Sequence, residues 1–437
     1  MSKKSQLPDA KTIYFWNLLG NLAASGVSVL YLLIVTRLTS ASLADQFSLV
    51  WSIGTLWVVI GLFQVRNYHG TDVRQKHSFR AYFQARILSI LAMIVTLLPY
   101  LKIIGGNRYT SSVILMAFLM ILYRAWDSVS DLFQGLFQQR ERMDIAGKTM
   151  FYRYSTSTVV LFLALIVSKS LIASLLALTI WNGLFILLYE FRFVHHFESI
   201  NWRGVFDLRK IHESLDILKE CFPLFLNGFI LLYVLNEPKL IIERGLSEGV
   251  LQTGMQRDFN ILFMPVFFMS LIILMVRPLI TQLAFLYVDK EYEKFDSIIK
   301  KLLLYIIGGG LLVVCLAYLL GVQVLGLVFG LDLASYQVPF TILILAGVLY
   351  AVAIIFENIL TIMRKQHLLI AIYVAMLVVT LLITKTFIYS WGMLGASLAF
   401  LVVMIAVSYT HLTLPTSYSS ARPPRLPRRS TRHASFA

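Results

Sequence analysis

The sequence predicts an all-α polytopic membrane protein of about twelve transmembrane helices, arranged as two six-helix lobes related by a pseudo-two-fold axis along the membrane normal. Three observations predict it. Of 437 residues, 58% are hydrophobic and 14% charged, against roughly 25% charged in a soluble domain; the mean hydropathy is +0.76. About a dozen apolar stretches approach the roughly 20 residues that a helix needs to cross a hydrocarbon core. One long polar connection then divides these stretches six and six. A β-barrel is excluded, because its strands would alternate apolar and polar residues.

In chain order the predicted spans are 12–36, 43–65, 82–104, 111–136, 149–168, 170–190, 218–242, 259–286, 300–321, 338–363, 367–387 and 391–410. The opening MSKKSQLPDAK is basic, but no small-residue cleavage site closes the first apolar run, which is therefore read as a retained helix. Cys221 and Cys315 fall in apolar stretches and support neither a disulfide framework nor a metal site. Loops on the N-terminal side carry Lys3, Lys4, Arg66, Arg74, Lys76, Arg140, Arg142, Arg203, Arg209 and Lys210 among others, whereas the opposite side holds Arg37, Lys102, Arg108, Lys169, Arg244, Arg257 and Lys385. Lysine and arginine are retained on the cytoplasmic face, so both termini are expected in the cytoplasm. The formal charge of +15 then reports topology. Scattered over short loops, it does not make a nucleic-acid surface.

The connection between the sixth and seventh spans, 191–217, carries Phe206, Ile211, Leu215 and Leu218 (the last just inside the seventh span) at helical spacing with charges between them. That pattern suits a helix lying in the membrane interface. His195 and His196 are neighbours there, but consecutive residues on a helix point about 100° apart and no carboxylate cluster accompanies them, so no metal is expected. The resulting division is a first lobe over 1–190, a linker over 191–217 and a second lobe over 218–406. The lobes look related: Asn21 precedes Arg37 by 16 residues, and Asn227 precedes Arg244 by 17. From 407 to 437 the text changes, with four prolines, five arginines and no acidic residue. A basic lipid-touching tail and a low-complexity segment are two readings of it. The better one is a non-native tail, since VSYTHLTLPT resembles sequencing-adapter read-through.

Ionisable groups at bilayer depth are the first place to look for function, because each is costly there unless paired or hydrated. The fourth span holds Arg124, Asp127 and Asp131, with Ser128, Gln134 and Gln138; spacings of three, four and seven put Arg124, Asp127, Asp131 and Gln138 on one face. An internally neutralised Arg124–Asp127 pair that locks helices together is the competing structural reading. The seventh span carries Asn227, Asn236, Glu237 and Lys239 around Pro238, whose ring removes a helical hydrogen bond. For Glu237 and Lys239, a snorkelling pair near the interface competes with a ligand role. Arg277 precedes Pro278 in the eighth span, Glu357 and Asn358 lie in the tenth, and Asn17 and Asn21 give the first span a polar face. No G-x-x-x-x-G-K-[ST], H-E-x-x-H or G-x-S-x-G occurs. No cofactor is implied, and no long loop offers an aqueous catalytic domain.

The paired asparagine-bearing first and seventh spans, the junction TFIYSWGMLGASLAF with its G-x-x-G-A-[AS] pattern at Gly392–Ser397, the segment ENILTIMRKQ, and the second-lobe opening PLFLNGFILLYVLNEPKLIIERGLS together resemble the multidrug/oligosaccharidyl-lipid/polysaccharide flippase superfamily. Within it the chain most resembles the polysaccharide-biosynthesis branch. The resemblance implies a flippase of a bacterial inner membrane, moving undecaprenyl-diphosphate-linked oligosaccharide for O-antigen or capsule. It also implies contact with membrane lipid and partnership with a polysaccharide polymerase and chain-length machinery. The first span lacks a mid-membrane arginine, which disfavours a lipid II flippase.

On this reading Arg124, Lys239 and Arg277 attract the diphosphate, Asn21 and Asn227 hydrogen-bond sugars, and Asp127, Asp131 or Glu357 couple ion flow. No bond is made or broken, so an enzyme is not expected. A drug/cation antiporter of the same superfamily, which wants a net-negative cavity, and a non-transporting scaffold for glycan assembly are the alternatives.

Overall fold

A computed structural model describes residues 9–419 except 72–75, 107–108, 199–204, 206, 208–210, 271–278, 280–281, 284, 288 and 364–365. Every described element is helical. The first lobe is built from α1 (Ala10–Leu38), α2 (Ala41–Leu62), the short α3 (Val65–Thr71), α4 (Phe79–Gly105), α5 (Ser111–Gln139), α6 (Met143–Ser168), α7 (Leu171–Phe185), a π turn (Ile186–Glu190) and α8 (Phe191–Phe197). The second holds α9 (Ile211–Ser247), α10 (Met255–Ser270), α11 (Tyr292–Leu316), a π turn (Ala317–Gly321), α12 (Val322–Phe329), a 3₁₀ turn (Ala334–Tyr336), α13 (Gln337–Ile362) and α14 (Gln366–Ser419).

Among the described residues, ten helices are long and apolar enough to span a membrane. One of them, Leu369–Ala406, is two predicted spans joined at Gly392, where φ is 56° and ψ is −126°. Only glycine takes such a backbone readily. A Cβ on Gly395 would stand 1.9 Å from the Phe387 carbonyl oxygen, so the glycine pair of the junction motif serves one sharp, close-packed bend. The eighth predicted span is described as helix through Ser270 and at scattered positions beyond. The chain is thus the predicted multi-pass membrane protein.

Local chemistry sets the helix starts. Ser40, Ser78, Thr110 and Ser170 each accept a hydrogen bond from the backbone N–H three residues on, satisfying a donor the first turn leaves free. Between α2 and α3 the helix breaks at Phe63 and Gln64, with φ of 41° and 57°. Arg86 Nη1 and Ser89 Oγ donate to the Gly61 carbonyl at 2.5 and 2.7 Å, so the end of α2 is capped from α4. The fifth helix begins at Met143, earlier than the span at 149, which sets Arg153 well inside it. Residues 211–217 form the first turns of α9, not a separate interfacial helix. Glu213 meets Arg80 at 2.5 Å and Ser214 donates to Gln84 Oε1 at 2.8 Å, which draws this stretch upright against α4. Phe206 and linker positions 199–204 and 208–210 lie outside the described residues, as do positions 420–437 of the tail.

The lobes meet symmetrically. Helix α2 packs on α9, and α1 on α10; a pseudo-two-fold that exchanges α1 with α9 and α2 with α10 interconverts these contacts. Inside the first lobe α1 lies along α6. There a Cβ on Gly20 would come 2.6 Å from the Gly147 carbonyl oxygen, and one on Gly147 would come 2.1 Å from that of Trp16. Small residues let backbones approach this closely in membranes, where helix association rests on packing. Gly147→Ala is therefore expected to lower stability by about 1–3 kcal/mol, as overpacking does. A thermal melt of the detergent-solubilised protein checks it; an unchanged midpoint would show that the helices separate freely.

Candidate functional site

Between the lobes lies a cavity of about 280 Å³. Helix α1 lines it with Ser25 and Ser28, α2 with Ser48, Trp51 and Thr55, α5 with Arg124 and α6 with Tyr154. The second lobe adds Lys239 from α9, with Asn260 and Met264 from α10. Among the described residues, two cationic side chains and several hydroxyls line it, and no carboxylate does. The Arg124 guanidinium lies 4.3 Å from the centre of the Trp51 ring, and Lys239 Nζ is 5.1 Å from that of Phe263. Aromatic faces hold cations without neutralising them.

Arg124 is also anchored from behind. Its Nη1 donates to Asp127 Oδ2 at 3.0 Å and its Nη2 to Thr55 Oγ1 at 3.1 Å. The predicted Arg124–Asp127 pair therefore exists, but it is not a closed one. Arg153 from α6 takes the other carboxylate oxygen at 2.6 Å, so Asp127 is shared by two guanidiniums. The Tyr154 hydroxyl accepts from Arg153 Nη2 at 2.9 Å and donates to Asp127 Oδ1 at 3.4 Å. Asn182 places its carbonyl oxygen 3.4 Å from Arg153 Nη1 and donates to Ser157 at 3.0 Å. Behind Arg153, Glu190 is fully buried, with an oxygen 3.5 Å from Arg153 Nε.

Of the residues singled out in the sequence, Arg124 and Lys239 meet at the cavity. Asp127 stands one layer behind, as a ligand of arginines. Asp131 belongs to another cluster: it accepts from Arg86 Nη2 at 2.8 Å and from Arg66 Nη1 at 3.4 Å, and Arg66 also donates to Gln134 at 2.8 Å. That face of α5 does meet neighbouring helices, as its charges require. Asn21 donates to the Asn17 carbonyl at 2.7 Å, Asn227 is on α9 with a buried oxygen that finds no donor, and neither lines the cavity. Glu357 sits deep in the second lobe beside Tyr350 and Tyr373, at a void of about 10 Å³. Glu237 and Lys239 are both buried, at 6% and 4% exposure, so the snorkelling reading fails; Glu237 turns toward Tyr100 and Tyr233. Arg277 lies outside the described residues.

Sequence reasoning passes over Arg86, Arg153 and Glu190. All three are ionisable residues in or at the edge of an apolar run, which is the same signal that marks Arg124.

Contacts join the lobes on both faces, the first set on the face opposite the N-terminus. Asp45, near the start of α2, accepts from the backbone N–H of Gly254 at 2.6 Å and of Arg257 at 2.8 Å. Arg37, at the end of α1, donates to the carbonyls of Leu327 and Val328 at 2.7 Å each. On the N-terminal face Lys76 pairs with Glu220 at 2.9 Å, and Phe63 stacks on Phe225 at 4.3 Å.

No family model matches the chain, and no curated protein matches it in sequence. Solved structures do match in fold. An inward-facing multidrug resistance MATE family transporter of the MOP superfamily aligns with a TM-score of 0.67 at 12% identity, covering 93% of this chain and 95% of its own. An outward-facing one aligns at 0.59 and 15% identity, over 94% and 96%. A MOP superfamily transporter from Pyrococcus furiosus, described as having a binding pocket of reverse polarity that suggests a different function, aligns at 0.61 and 12%, over 94% and 95%. At such identities the likeness establishes the fold: twelve helices in two lobes.

Proposed function

We propose that this protein is a flippase that carries an anionic lipid-linked glycan, of the undecaprenyl-diphosphate-oligosaccharide class, across the membrane by alternating access. The observation that carries the reading is the cavity lining: Arg124 and Lys239, one from each lobe, with no carboxylate among the described residues of the wall itself. A diphosphate cannot enter hydrocarbon bare, while its polyprenyl tail needs no shelter from lipid. A hydrated, positively charged chamber between two lobes meets the first need, and an opening sideways to the bilayer leaves the tail outside. The serines, Thr55 and Asn260 offer hydrogen bonds to phosphate and sugar oxygens. Lysines and arginines crowd the N-terminal side, which on this reading is the cytoplasmic face of a bacterial inner membrane. Polymerase and chain-length machinery would receive the product on the far side.

The drug/cation antiporter is the weaker reading, because a cation would meet two like charges. Asp127, the carboxylate that touches cavity-lining Arg124, is already shared with Arg153. On this reading ion coupling falls to Glu357, which sits beside Tyr350 and Tyr373. The test is a proteoliposome assay with fluorescent undecaprenyl-diphosphate-linked sugar, scored by quenching from outside. Protein-dependent translocation is the expected result. Translocation of a cationic dye in place of the lipid-linked sugar would transfer the protein to the antiporter class.

A further inference from the structure

Glu190 is a buried carboxylate that the transport reading leaves unused. It has no exposure; Ser130 lies beside it, and its charged neighbour is Arg153, whose Nε stands 3.5 Å from one oxygen. It ends the π turn that interrupts the sixth span, a deviation frequent at functional positions. The wider turn has a geometric effect. In a regular helix Glu190 would lie about 80° around the axis from Asn182, eight residues earlier; wider i→i+5 turns bring the two back toward one face. Both accordingly reach Arg153, Asn182 through its carbonyl oxygen at 3.4 Å and Glu190 at 3.5 Å from Nε. The groups that face Glu190 are Arg153 and Tyr154 from α6, Asp127 and Ser130 from α5, and Tyr189 on its own helix, which is itself near Arg192.

The charges form a line: Arg124 at the cavity, then Asp127, then Arg153, then Glu190. With Glu190 ionised the four sum to zero. With a proton on Glu190 they sum to one positive charge, and Arg153 is free to satisfy Asp127 alone, which leaves the Arg124 guanidinium to the cavity. We infer that Glu190 is a proton-binding site, and that a proton there raises the affinity of the central cavity for an anion. This inference rests on the proposal that the cavity takes an anionic group. The proton comes from solution and settles on a Glu190 carboxylate oxygen, and no other bond changes. Proton and anion then favour one another's binding by the same factor, so the pair binds together.

The probe is inorganic sulfate, whose charge does not change between about pH 5.5 and pH 8. Calorimetry on the purified full-length protein is expected to show sulfate binding about tenfold more tightly at the lower pH, by linkage to one proton. Glu190→Gln, which is neutral at every pH, should bind at the tighter value throughout. Proton uptake provides a readout that needs no variant: adding sulfate to the wild-type protein in weak buffer should draw protons from solution. Sulfate binding without proton uptake overturns the inference and leaves the cationic cavity standing. So does a Glu190→Gln protein that keeps the wild-type pH slope. A wild-type protein that binds no sulfate at either pH overturns the anion reading itself, and this inference with it.

Discussion

Combining Arg124→Gln with Lys239→Glu is expected to abolish anion binding and lipid-linked sugar translocation, by about a hundredfold or more. The two residues are the cationic groups that line the cavity, and the pair of changes takes that lining from two positive charges to one negative. Two unit charges 4 Å apart interact by about 4 kcal/mol at an effective dielectric of about 20. Losing one attraction and reversing another therefore exceeds the roughly 2.7 kcal/mol that a hundredfold change requires. The fold should survive. Asp127 keeps Arg153 at 2.6 Å when Arg124 becomes Gln, and the amide can still meet Thr55, so Asp127 is not stranded. Lys239 is held over Phe263, and its replacement leaves that ring packed in the core. Circular dichroism and a thermal melt separate a folded, inactive protein from a misfolded one. Binding of inorganic pyrophosphate within threefold of wild type by the folded double variant would remove both residues from the site.

The same two residues show what the sequence makes legible. Arg124 stands near the middle of its apolar run, so its depth follows from counting residues. Lys239 lies three residues from the end of its predicted span, and only its burial in the fold shows that it does not reach the surface. Asp127 is legible only in part: its partner at i−3 is visible, whereas Arg153, 26 residues on, is brought to it by the packing of α5 on α6. Arg153 and Arg86 lie close to the ends of their predicted spans, where basic residues usually mark the membrane surface. The earlier starts of α4 and α6 move them inward. Glu190 closes the predicted sixth span, and only the π turn and α8 beyond it reveal that the helix continues. The asparagine pair illustrates the opposite error. Asn21 and Asn227 occupy matching places in the two halves, but their side chains serve helix-internal or buried positions instead of the cavity. Repeat symmetry locates equivalent backbone, and says nothing of which side chains on it turn toward the cavity.

The second large effect is expected at the inter-lobe contacts on the face opposite the N-terminus. Asp45 and Arg37 both belong to the first lobe, and each binds a helix terminus of the second. Asp45 accepts from two N–H groups at the start of α10, and Arg37 donates to the last carbonyls of α12. Each charge has the sign that the helix dipole at that terminus favours. A hydrogen bond to a charged group contributes about 1.5–3 kcal/mol, so removing either residue should weaken the closed form by at least the roughly 1.4 kcal/mol that shifts an equilibrium tenfold. The prediction is read with a single cysteine at Ser48, a cavity-lining position on α2, in a protein whose Cys221 and Cys315 have been replaced by alanine. Labelling by a membrane-impermeant maleimide from the face opposite the N-terminus should rise about tenfold in Asp45→Ala or Arg37→Ala. Asp45→Asn, which retains an acceptor without the charge, should fall between wild type and Asp45→Ala. Equal labelling in all of these proteins would mean that the contacts decorate a rigid surface. A graded rise would make them the latch that opens when the lobes rock, and would tie the geometry of two helix ends to the direction in which the cavity faces.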